Sequence, residues 1–186
     1  MKNMIITIAG DPGSGKSTVA KAVAKALGMK HFSAGDFMRQ MAEERGISLM
    51  ELTRQSEKDK EIDIEIDKRT QELAKKENNF VIDSRIGFHF IPDSIKIFLK
   101  TDPKKAAERT WKDIQSGKRA QEKQYKSQDE VMKAIIERQQ IEKRRYLKHY
   151  NVDMLDMSNY EFILDATDMS LQEEIDAVLE YIKKVM

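Results

Sequence analysis

Gly10, Asp11, Pro12, Gly13, Ser14, Gly15, Lys16 and Ser17 form a complete G-x-x-x-x-G-K-[ST] loop, and they limit what this chain can become. Ahead of them, Met4-Ile5-Ile6-Thr7-Ile8-Ala9 is a short β-branched apolar run that suits a buried strand. Behind them, Val19, Ala20, Val23, Ala24 and Leu27 recur at helical spacing between Ser17 and Leu27. Strand, glycine-rich turn and helix in that order aim backbone N–H groups and a helix N-terminus at an anion, here a nucleotide's β-phosphate. Lys16 is placed to reach the β- and γ-phosphates, and Ser17, followed by Thr18, offers a hydroxyl to Mg²⁺. Gly10, Gly13 and Gly15 permit tight turns and close backbone approach. The chain reads as a binder of nucleoside triphosphate, and the rest of it must decide what happens to the γ-phosphate.

Four more apolar runs follow, at Lys30–Phe32, Phe80–Asp83, Ile95–Leu99 and Phe162–Leu164, with helical patterns between them. Continuous rather than alternating apolar runs suit strands covered on both faces. The alternation predicts an α/β fold, a five-stranded parallel sheet flanked by helices with right-handed crossovers. Asp102-Pro103 reads as a helix start, and Ser170 to Lys184 as the last helix. Ligands in such sheets sit at the carboxyl ends of the strands. Two stretches exceed what a crossover needs. Residues 34–77 hold two or three polar helices, and residues 115–128 form a polar break between two long helices. The break reads as a lid, which a phosphotransferase needs to keep water from the γ-phosphate.

At 186 residues the chain fits a single domain. Its 33 Lys and Arg against 32 Asp and Glu leave a net charge of +1, which gives no global argument for a nucleic-acid or membrane partner. Without cysteine, disulfides and thiolate metal sites are excluded. The first strand begins almost at once and no apolar run reaches membrane length, so the expectation is a cytoplasmic protein.

The remaining chemistry lies in three segments. Ser33-Ala34-Gly35-Asp36-Phe37-Met38-Arg39 follows the second strand; Ser33, Gly35 and Asp36 suit a turn and helix cap, and Arg39, one turn in, can clamp a phosphate. Asp83 ends an apolar strand and is followed by Ser84-Arg85. Asp83 suits holding Mg²⁺ through water or orienting an acceptor, and Arg85 suits a second phosphate. On a late helix, Arg138, Glu142 and Arg145 are four and three apart and share a face. Two guanidinium groups there suit a transferring phosphoryl group, with Glu142 balancing charge or binding a sugar hydroxyl.

Together these segments resemble the nucleoside monophosphate kinases, and most of all the cytidylate kinases of the short archaeal type. The resemblance runs through Ile5–Thr18, Ser33–Arg39, Asp59–Asp67, Asp83–Arg85, Ile95–Arg109, Arg138–Tyr146 and Tyr160–Thr167. It implies transfer from Mg-ATP to CMP or dCMP, with small nucleotides as the only partners and a monomeric protein. It implies that Gly10 to Thr18 hold ATP and that Ser33, Gly35, Asp36, Arg39, Asp83, Arg85 and Glu142 hold the monophosphate, within a helical insert spanning 34–77. Arg119, Arg138 and Arg145 would join Lys16 around the transferring group, and Ser17 and Asp83 would serve Mg²⁺. The chain has Ser84 where many relatives have glycine, and Ile86 where the longer bacterial ones have aspartate. A kinase for UMP, AMP or a non-nucleotide acceptor, a non-catalytic nucleotide switch, and an RNA-associated P-loop protein remain as alternatives.

Overall fold

A central strand carrying the phosphate loop organises the sheet. A computed structural model of the chain describes residues 4–118 and 125–186; Arg119 lies outside the described residues. The strands are β1 (Ile5–Gly10), β2 (Lys30–Ser33), β3 (Phe80–Asp83), β4 (Ile95–Lys100) and β5 (Phe162–Asp165). They lie in the order β2-β3-β1-β4-β5, and every pairing is parallel. The register sets Ile8 beside Asp83 and Ile97, and Ser33 beside Asp83, so the carboxyl ends of β1, β2 and β3 converge.

The helices are α1 (Lys16–Ala26), α2 (Ala34–Glu44), α3 (Leu49–Ser56), α4 (Lys60–Lys76), the short α5 (Gly87–Phe90), α6 (Pro103–Gln115), α7 (Gln128–Tyr150) and α8 (Leu171–Val185). Their starts follow local rules. Ser33, Ser48, Asp59, Asp102, Ser127 and Ser170 each accept a backbone N–H of the first turn, and Pro103 fills the opening of α6. Ser170 and Glu173 complete a reciprocal capping box.

Period-two alternation in β1 decides which residues meet which layer. Ile6 and Ile8 pack with Val19 and Val23 of α1, Val178 and Ile182 of α8, and Val81, Ile97 and Leu99 of the sheet. Ala9 belongs to a second cluster with Ile86, Phe88, Phe98, Met154 and Tyr160. Each wholly buried Ile or Val stabilises by about 1.5–3 kcal/mol, so Ile8→Ala would cost roughly 2–5 kcal/mol through lost contact and a cavity. Residues 34–77 supply three helices with a small core of their own, Met38, Met41, Leu52, Ile62 and Ile66. Among the described residues no helix is long and apolar enough to cross a membrane.

Candidate active site

The loop from Gly10 to Lys16 is shaped by glycine at specific points. A Cβ on Gly10 would lie 2.6 Å from the Leu99 carbonyl oxygen and 2.8 Å from Ser14 Oγ, so no side chain fits there. Gly13 and Gly15 both have φ of +81°, the left-handed region that glycine enters without strain. α1 begins directly at Lys16, so its first N–H groups open onto the loop. Asp11 anchors the loop from outside. Its Oδ2 accepts from the Thr101 N–H at 2.8 Å and its Oδ1 from Gln139 Nε2 at 2.7 Å, tying the loop to the end of β4 and to α7. Burial raises the Asp11 carboxyl above its ordinary range despite these donors.

Asp83 joins three elements. It is fully buried at 0% exposure. Its Oδ1 accepts from Ser17 Oγ at 2.8 Å and from Ser33 Oγ at 3.0 Å, and its Oδ2 lies 2.8 Å from His31 Nε2. Burial alone would raise this carboxyl; the hydrogen bond with His31, the charge of Lys16 and the Ser17 hydroxyl outweigh it and hold it below its ordinary value. A hydroxyl and a carboxylate at a strand end form a hard-oxygen pair. Among the described residues no group of three His, Cys, Asp or Glu could hold a metal by itself. The pair therefore fits a cation carried mainly by phosphates and water, as Mg²⁺ is.

Beside the loop, buried charges outnumber their counter-charge. Glu142 lies 2.6 Å from Arg85 Nε and 2.8 Å from Arg138 Nε. Arg85 also donates from Nη1 to the Gly10 carbonyl, while its Nη2 is buried with no hydrogen-bond partner. Burial would raise the Glu142 carboxyl, but Arg85, Arg138, Arg145 and Lys16 together hold it at about 2. Lys16 is drawn down to about 7, first by burial and then by Arg85 and Arg138, against the pull of Asp83 and Glu142. These groups would stabilise an arriving polyanion, which would in turn raise the Lys16 ammonium.

Arg145 turns to the insert. Only 2% exposed, it donates to Ser56 Oγ at the end of α3 and to Tyr146 Oη at 2.9 Å, and its Nε is 3.2 Å from Asp63 Oδ2 on α4. His149 Nδ1 lies 3.0 Å from the same Asp63 oxygen. Arg39 is open to solvent and pairs with Asp36 at 2.5 Å, one turn inside α2, whose cap is Ser33; the Arg39 guanidinium lies alongside Gly35.

Lys16, Ser17, Ser33, Asp83, Arg85, Arg138 and Glu142 are thus brought together at one end of the sheet. Arg145 shares their helix and faces α3 and α4, and Arg39 and Asp36 stand at the rim. Composition and spacing gave no role to His31, Gln139 or His149, which the fold brings onto Asp83, Asp11 and Asp63. The available signal for His31 was its place two residues before Ser33 on the same strand, which puts both side chains on one face.

Comparison with known proteins gives the site a setting. Residues 5–168 match the profile of the cytidylate kinase-like family. The chain is 36% identical over 181 residues to a cytidylate kinase of Sulfurisphaera tokodaii, covering 95% of this chain and 93% of that one. It is 38% identical over 162 residues to a cytidylate kinase of Methanothrix thermoacetophila, covering 87% and 88%. Among solved structures, shikimate kinase from Bacteroides thetaiotaomicron superposes with a TM-score of 0.65 over 97% of this chain and 98% of that one, at 18% identity, a likeness of fold alone.

Proposed function

Because this chain belongs to the cytidylate kinase-like family, we propose that it transfers the γ-phosphoryl group of ATP to CMP or dCMP, giving ADP and CDP or dCDP. The observation that carries the reading is the Arg85 guanidinium, buried beside the phosphate loop with one nitrogen lacking an acceptor. A nucleotide switch needs Lys16 and the loop; further cations beside the loop, Arg85 buried and Arg138 part-buried, call for a second phosphate.

In this reading the loop from Gly10 to Thr18 wraps the phosphates of ATP, with Lys16 on the β- and γ-phosphates. Ser17 and Asp83 would hold Mg²⁺, which would supply charge neutralisation to the nucleotide's phosphates when bound. Arg85 and Arg39 hold the acceptor's phosphate, with Ser33, Gly35 and Asp36 shaping the turn beneath it. Glu142, buried with both oxygens paired, keeps Arg85 and Arg138 at a set spacing and balances their charge rather than meeting a sugar hydroxyl. An oxygen of the acceptor phosphate attacks the γ-phosphorus in line. The bond to the β–γ bridging oxygen breaks, and its electron pair leaves with ADP. The acceptor oxygen is already anionic near neutral pH, so no general base is required. The work of the residues is positioning and charge compensation. Arg138, with Arg119, supplies positive charge around the transferring group, whereas Arg145, held by Ser56 and Asp63, ties α7 to the insert rather than joining them. Residues 115–128 act as the lid and residues 34–77 as the acceptor insert.

The proposal extends to a cytoplasmic monomer with no nucleic-acid or membrane partner. ATP and CMP are metabolites of that compartment, and one chain supplies all the side chains the reading uses. The test is ADP release with Mg-ATP and CMP, dCMP, UMP, AMP or GMP in turn. Turnover on CMP and dCMP supports the reading, and turnover on another monophosphate alone overturns the choice of base.

A further inference from the structure

β2 contributes a residue that touches no proposed substrate position. His31 and Ser33 project from one face of the strand, and the register places Asp83 directly beside Ser33 and diagonally from His31. His31 leans along the sheet until Nε2 lies 2.8 Å from Asp83 Oδ2, and its side chain is 14% exposed. The other carboxylate oxygen is occupied by the hydroxyls of Ser17 and Ser33. An ionised carboxylate only accepts, so Nε2 carries the hydrogen and both serine hydroxyls donate. The hydrogen of Ser17 is thereby turned to Asp83, and its lone pairs are left for a cation.

The arrangement depends on both oxygens being held. Without a donor at Oδ2, a wholly buried oxygen would lack its partner, and the carboxylate would rotate to share Ser17 and Ser33 between its two oxygens. The Ser17 hydroxyl would then lose its fixed direction. We propose that His31 is a positioning residue that, by holding Asp83 Oδ2, aims the Ser17 hydroxyl at the cation accompanying ATP. The inference rests on the reading of Ser17 and Asp83 given above.

The test compares His31→Gln, whose amide reaches about as far as Nε2, with His31→Asn, which stops short, and His31→Leu, which has no donor. Mn²⁺ affinity is measured by electron paramagnetic resonance on each full-length protein with the β,γ-methylene analogue of ATP, with no acceptor present. Loss of an outer partner of this kind lowers metal affinity by roughly 10–100-fold. The expected result is such a loss for His31→Asn and His31→Leu, with His31→Gln within about threefold of the unsubstituted protein. Turnover at saturating CMP should fall in the same order, with little change in the KM for CMP. Equal Mn²⁺ affinity in all four proteins, or failure of His31→Gln alongside the other two, would overturn the proposal. If His31→Leu does not fold, His31→Asn carries the comparison. Absence of CMP phosphorylation by the unsubstituted protein would sink the proposed acceptor and leave the Mn²⁺ comparison standing.

Discussion

Glu142 Oε2 lies 2.6 Å from Arg85 Nε in a buried position, and the same carboxylate reaches Arg138 through its other oxygen. One helix side chain thus sets the spacing between a guanidinium that follows β3 and another that belongs to α7. The carboxylate holds the two cations together in the free protein, and its charge is small against what ATP and a monophosphate would bring.

Replacing Glu142 with Gln should destabilise the free protein by about 3–5 kcal/mol, because buried cations lose their counter-charge. Sulfate or ATP should restore part of the loss by occupying the cations. The pH dependence follows from the depressed carboxyl, held at about 2. Its stabilisation is present above the unfolded value near 4.5 and is lost as pH falls through about 2. Urea titrations across that window should show a flatter profile for Glu142→Gln; parallel profiles would remove Glu142 from the charge cluster.

Lys16, drawn down to about 7, should bind a proton when ATP binds. Below pH 6 the ammonium is already formed and uptake is small. At pH 8.5 the free protein holds mostly the neutral amine, the nucleotide's charge raises its pKa, and a proton enters with the ligand. Calorimetry in two buffers of different ionisation enthalpy measures this directly. Uptake that persists in a folded Lys16→Met variant would assign it to another group.

Arg138→Ala should lower kcat roughly 10²- to 10³-fold, the usual effect of losing one preorganised charge donor. Arg39→Ala should instead raise the KM for CMP more than that for ATP, since the proposed function gives Arg39 to the acceptor's phosphate. Steady-state kinetics on both variants separates the roles, and an exchange of the two patterns would reverse the placement of donor and acceptor.

Asp67 has one buried oxygen without a hydrogen-bond partner, and burial followed by the neighbouring charge of Asp63 pushes its carboxyl up to about 7. The folded state therefore holds a proton that the unfolded chain releases near 3.8, so stability falls as pH rises from about 4 to 7. Asp67→Asn should flatten that fall and be more stable than the unsubstituted protein at pH 8 by roughly 1–3 kcal/mol. Thermal melts at pH 5 and pH 8 check it, and an equal decline in both proteins would contradict it.

The donor half of the site was legible because it is local: one strand, one loop and one helix start, with the chemistry written into consecutive residues. Asp83 was legible as a carboxylate ending an apolar run. The partners of these groups were not, because they are remote along the chain. His31 is 52 positions from Asp83, His149 is 86 from Asp63, and Gln139 is 128 from Asp11. Only the strand order and the packing of α7 bring them together. Helical spacing put Arg138 and Arg145 on one face, but seven residues advance an α-helix by about 10 Å. Arg138 is therefore level with the loop and Glu142, whereas Arg145 has passed on to Ser56 and Asp63.

The most direct measurement follows label from [γ-³²P]ATP in the presence of Mg²⁺, CMP and the protein. The account predicts label in the β-position of CDP, formed in step with unlabelled ADP, and little inorganic phosphate. Label released only as inorganic phosphate, or retained in ATP while CMP stays unchanged, would contradict phosphoryl transfer to CMP.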